Sequence, residues 1–171
     1  LMLLGAAPGV GKTQLTIQLG MDAMSDPTVG LVYLSLEMRP GDLVKRLLAI
    51  EAGLTYRRLV LGDGALAGKE VDGLRLNDAD GRKVKDAKGR LDAFGKRIRM
   101  FGNADIGTLQ GSANDPSRWY DKLTELVRTA KEDMGVSHAL IVVDNLQAIL
   151  VEPARGGAWS GDMERDRLII E

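Results

Sequence analysis

An α/β fold, with a largely parallel sheet flanked by helices, is what this sequence predicts. A glycine-rich loop, Gly5 to Thr13, joins a short apolar run to a helical pattern. Two further runs, residues 30–36 (GLVYLSL) and 139–143 (ALIVV), are nearly continuous in apolar residues at strand length. That is how strands covered on both faces read. With 171 residues, 44% of them hydrophobic, the chain suits one domain and can bury a real core.

The first strand is expected over Leu1 to Leu4, and the helix after the loop runs to about Met24, where Ser25-Asp26-Pro27 ends it. Leu15 and Leu19 and, one face over, Ile17, Met21 and Met24 recur at helical spacing. The run 30–36 finishes in Ser35-Leu36-Glu37-Met38. A carboxylate thus follows a buried strand, on the edge where such sheets hold ligands. Arg39-Pro40-Gly41-Asp42 starts a helix with Leu43, Val44, Leu47, Leu48 and Ile50 on its apolar face, ending near Gly53.

From about residue 62 to 99 the composition shifts to Gly, Asp, Lys and Arg. A solvated surface insertion with one or two loose helices is expected there; the functional alternative is a basic segment meeting nucleic acid or a neighbouring subunit. Residues 97–101 (RIRMF) alternate as a short strand, and 103–112 read as an irregular loop. Asp115-Pro116 then caps an amphipathic helix with Trp119, Leu123, Leu126, Val127, Ala130 and Met134 on one stripe and Gly135 at its end. Trp119 and Tyr120 have the rings to stack on a base, but Trp119 lies on the core stripe. The run 139–143 ends in Asp144; residues 152–161 read as a flexible loop before a final helical stretch.

Composition removes several classes of function. With no cysteine there is no disulfide, no Cys-ligated zinc and no thiol nucleophile, and the single histidine, His138, cannot build a His-rich metal site. No apolar run approaches the ~20 residues of a membrane span. The apolar Leu1 to Val10 lacks the basic start of a signal peptide and leads into an amphipathic helix. A cytoplasmic protein is expected. Net charge of −1 gives no global pull toward nucleic acid, so any such binding must come from local loops. The chain begins directly in a strand and stops inside a helical pattern, so a piece of a longer protein is expected.

The glycine loop carries the chemistry. A polyphosphate needs many donors converging on it, and side chains alone are too bulky to supply them. Gly9 and Gly11 let the backbone turn its N–H groups inward, and the following helix adds its unpaired amides and the positive end of its dipole. Residues Pro8, Gly9, Val10, Gly11, Lys12, Thr13 and Gln14 are therefore the expected ATP contacts. Lys12 would reach the β- and γ-phosphates as a catalytic cation, and the Thr13 hydroxyl would ligate Mg²⁺. The pattern G-x-x-x-x-G-K-[ST] is met except at its first position, which is Ala6. Asp144, carried to the sheet edge by an apolar strand, is the second expected metal residue, holding a water of the Mg²⁺ shell. Hydrolysis also needs a base, and the residue after Asp144 is Asn145, which cannot serve. Glu37 is the acid at the right edge and the candidate catalytic carboxylate.

At these residues the sequence resembles the motor domain of DnaB-type replicative helicases, within the RecA-like P-loop class. Ala6-Ala7-Pro8-Gly9-Val10-Gly11-Lys12-Thr13 resembles their phosphate loop, Ser35-Leu36-Glu37-Met38 their S-L-E-M, and Val143-Asp144-Asn145-Leu146-Gln147 their I-D-Y-L-Q. The resemblance covers residues 2–54 and 139–150 and does not extend over 62–117. It implies that Glu37 is catalytic, that Gln147 belongs to the Asp144 motif, and that the complete protein is a hexameric, DNA-stimulated motor on single-stranded DNA. Asn145 departs from the family's Tyr. The family's sensing Gln, DNA loops and arginine finger fall beyond residue 171, so Arg155, Arg165 and Arg167 receive no such role. Without a finger the expected hydrolysis is slow, by on the order of 10³ to 10⁵. The alternatives are a RecA-like ATP-dependent switch or scaffold without unwinding, and a phosphotransferase, which would need an acceptor pocket and an Arg-rich lid.

Overall fold

Among the described residues the elements run, in chain order, α1 (Lys12–Ala23), β1 (Val29–Ser35), α2 (Pro40–Ala52), α3 (Tyr56–Gly62), α4 (Asp78–Phe94), β2 (Ile98–Gly102), β3 (Gly111–Ser112), α5 (Ser117–Met134), β4 (His138–Asp144) and β5 (Val151–Glu152). The computed structural model describes residues 4, 5, 7, 9–62, 76–102, 105, 111, 112, 117–144, 151 and 152. Leu1 to Leu3 of the expected first strand, the expected cap Asp115-Pro116 and the final helical stretch lie outside them. The chain divides into two compact units, residues 1–22 with 41–96 and residues 23–40 with 97–171.

The second unit is built on a three-stranded sheet in the order β2-β1-β4. Both pairings are parallel, running from Leu31↔Ile98 to Ser35↔Gly102 on one side of β1 and from Val29↔His138 to Ser35↔Asp144 on the other. Parallel neighbours need long crossovers, and α5 lies on the crossover that leads into β4. Val32, Leu34 and Leu36 on one face of the sheet cluster with Ala130 and Met134 of α5; Phe101, Leu123, Leu126, Val127 and Val143 pack around them. At Gly30 the α5 end approaches so closely that a Cβ would lie 2.9 Å from Met134 Cε.

One arginine and one turn hold the start of this sheet. Arg97 Nη1 donates to the carbonyls of Met24, Asp26 and Val29 at 3.0, 2.9 and 2.8 Å. The Thr28 carbonyl accepts from Ser137 and His138 N–H groups, both at 3.1 Å, so the turn that feeds β1 also fixes where β4 begins. Residues 103–112, expected to be irregular, end in β3, which pairs in parallel with β5. Two-residue strands carry no periodicity, and that pairing was invisible before the chain folded.

The elements of the first unit among the described residues are helices. On α1 the buried residues are Ile17 and Gly20, while Leu15 and Leu19 are exposed, so only the Ile17 face of the expected pair is the inward one. Helix α2 buries Leu43, Leu47, Ala49 and Ala52 and leaves Val44 exposed. In place of loose helices in the segment 62–99, α4 is a capped and anchored one. Asn77 and Asp80 form a reciprocal capping box at its start. Asp80, only 4% exposed, takes a 2.6 Å bond from Arg58 Nη2 of α3. Arg90 bonds the Glu51 carboxylate and carbonyl of α2 at 3.2 and 2.7 Å. A buried carboxylate paired with a guanidinium and a backbone N–H is a satisfied one.

Candidate active site

The glycine loop belongs to the first unit. Gly9 and Gly11 have φ of 80° and 96°, and a Cβ on either would meet nothing within 4 Å. Glycine is there because of the path of the chain, which side-chain-bearing residues rarely follow, and not for want of space. The path runs into α1, whose first turn closes with Leu15 N–H donating to Gly11 O at 3.0 Å. No acid occupies that turn, so no carboxylate within it offsets the positive end of the helix dipole.

Lys12 is half-buried and donates from Nζ to the loop's own Ala7 carbonyl at 3.1 Å. Thr13 is half-buried, and its carbonyl accepts from Thr16 Oγ1 at 3.0 Å. Val10 and Gln14 are exposed; Gln14 lines a cleft of the same unit beside Arg46 and Tyr56. Pro8 lies outside the described residues, as do Asn145 and Gln147.

The two acids belong to the second unit. Asp144 closes β4 opposite Ser35, the last residue of β1, and Glu37 follows two residues later in an exposed turn. Three hydrogen bonds fix this edge. Leu36 N–H donates to the Asp144 carbonyl at 2.7 Å, Met38 N–H donates to Ser35 Oγ at 3.0 Å, and Tyr33 Oη donates to Asp144 Oδ2 at 3.0 Å. Both carboxylates therefore stand at the carboxyl end of neighbouring parallel strands, where open α/β sheets bind ligands. Sequence reasoning found the two acids and missed Tyr33, which reads as one more apolar residue of its strand. Period-two alternation places Tyr33 and Ser35 on one face, but only the register shows that Asp144 shares it.

Among the described residues no cluster of three or more His, Asp or Glu could hold a metal alone. Mg²⁺ in a nucleotide site does not ask for one. It takes one or two protein oxygens together with phosphate oxygens and water, and a threonine hydroxyl with an aspartate carboxylate is a hard-oxygen set that fits. No described helix is long and apolar enough to cross a membrane.

A family model described as the DnaB-like helicase C terminal domain matches residues 1–159. Two curated relatives, each a probable plasmid replicative DNA helicase, one from Chlamydia trachomatis and one from its serovar L2, are 26% identical over 107 residues. The match takes in 61% of this chain and 24% of each relative, so the chain spans about a quarter of their length. A solved structure described as an ATPase domain is similar at a TM-score of 0.59 and 18% identity, over 95% of this chain and 50% of that one. At that identity the likeness is one of fold, and the fold is the RecA-like α/β arrangement expected from the sequence.

Proposed function

Since the chain belongs to the family of DnaB-like helicase C-terminal domains, we propose that it is the ATP-binding and ATP-hydrolysing core of a DNA helicase or translocase. The observation that carries this reading is the pair Glu37 and Asp144 at one sheet edge, in a chain that also places Lys12 and Thr13 at the head of a glycine-shaped loop. The loop amides of residues 8–14 and the Lys12 ammonium bind the β- and γ-phosphates. Thr13 would supply a protein oxygen for Mg²⁺ and Asp144 would hold a water of its shell; the ion, when bound, would neutralise charge on the phosphate oxygens. Glu37 orients a water and takes its proton as the water oxygen attacks the γ-phosphorus, and ADP leaves with the β–γ bridging oxygen.

We read the chain as one ATPase domain in which residues 62–99 form a surface insertion. The whole protein would work in the cytoplasm as a hexameric ring on single-stranded DNA, each active site completed by a neighbouring subunit. A net charge of −1 favours a second reading, a RecA-like switch or scaffold whose nucleotide state sets assembly without unwinding. Hydrolysis and strand displacement measured on the full-length protein separate them. DNA-stimulated hydrolysis with displacement supports the motor, hydrolysis without displacement supports the switch, and no hydrolysis with or without single-stranded DNA contradicts both.

A further inference from the structure

We propose that Tyr33 is a positioning residue for the metal-side carboxylate, its hydroxyl fixing the orientation of Asp144 relative to Glu37. This rests on the reading that Asp144 serves Mg²⁺. Tyr33 is fully buried in the middle of β1, the largest of the fully buried side chains among the described residues. A buried hydroxyl is costly unless it is hydrogen-bonded. Its bond to Asp144 Oδ2 at 3.0 Å meets that demand with a charged acceptor, the stronger kind.

The geometry gives the bond a further consequence. A carboxylate at a strand end swings about its own side-chain torsions, and the main-chain bond from Leu36 N–H to the Asp144 carbonyl fixes only the backbone. The hydroxyl holds one carboxylate oxygen, Oδ2, and so restrains the orientation of the carboxylate. The two restraints come from β1 and from Leu36, the residue after it and before Glu37, so one stretch of chain sets the position of both acids. Partners of this kind, which touch a metal residue and not the metal, typically change metal affinity by about tenfold or more when removed.

Titrating Mg²⁺ against a ribose-labelled fluorescent ATP analogue tests this without turnover. Tyr33→Phe is expected to raise the Mg²⁺ needed for half-maximal binding about tenfold, while analogue binding in EDTA stays at the wild-type value. The shift should vanish in an Asp144→Ala background. Val142→Ala, which thins the packing opposite Tyr33 and keeps the hydroxyl, should lower the melting temperature and leave the Mg²⁺ midpoint in place. A Tyr33→Phe midpoint equal to wild type, or an equal shift with and without Asp144, overturns the role of Tyr33. A midpoint unmoved by Asp144→Ala itself overturns the metal role on which the proposal rests. If Tyr33→Phe does not fold, 3-fluorotyrosine at position 33 must show its fluorine resonance moving when Mg²⁺ joins the bound analogue, and an unmoved resonance overturns the proposal.

Discussion

Strands β1 and β4 have the same length, pair residue for residue and are each an almost unbroken apolar run, yet they are buried very differently. All of β1 except its first residue is buried, whereas β4 leaves His138 and Ile141 exposed and its other residues half-buried. Their places in the sheet account for this. β1 has a hydrogen-bonded neighbour on each side, and among the described residues β4 has one on a single side. Asp144, the acid of the less buried strand, is held at its backbone and its carboxylate by bonds from the more buried one. The contrast teaches that β1 carries the fold, while the end of β4, where the metal-side acid is proposed, takes its rigidity from β1 and the residue after it.

Truncation should break the two strands unequally. Leu34, fully buried in β1, loses both its transfer free energy and its packing on cutting back, so Leu34→Ala is expected to cost about 3 kcal/mol in urea unfolding. Ile141, 43% exposed in β4, has less to lose, and Ile141→Ala should cost about 1 kcal/mol. Equal losses would show that β4 is as deeply packed as β1.

The turn that starts both strands gives a smaller effect, read by acid. The Asp26 carboxylate accepts from Thr28 N–H and Thr28 Oγ1, both at 2.8 Å. These bonds, the backbone one first, hold its pKa below the ordinary 3.8. Because the folded group titrates lower than the unfolded one, the stability it gives is complete above 3.8 and is lost as pH falls through that value toward the folded pKa. Asp26→Asn keeps an acceptor and has no proton to bind. Its stability should fall less steeply than wild type below pH 3.8, with the two curves parallel above it.

Much of this arrangement was legible because it is local. The loop glycines, the helix that follows them, the apolar runs ending before Glu37 and at Asp144, and the α5 stripe from Leu123 to Met134 each announce themselves within a few turns of chain, although the run ending at Asp144, expected to be covered on both faces, is half-buried with Ile141 exposed. Helix α3 was not singled out, being only seven residues long. The anchoring of α4 was missed because Arg58 and Asp80 look like solvated charges until the fold brings them together, and composition reports the average of a segment, not its pairing. Tyr33 was missed for the same reason: its partner is supplied by another strand through a register that no local pattern encodes.

The most direct test of the site is turnover against binding in Glu37→Gln, with Lys12→Ala beside it. Glu37→Gln should bind ATP as wild type does and hydrolyse it at least about 10²-fold more slowly, as loss of a general base demands, while Lys12→Ala should lose affinity. Wild-type turnover in Glu37→Gln would contradict the account.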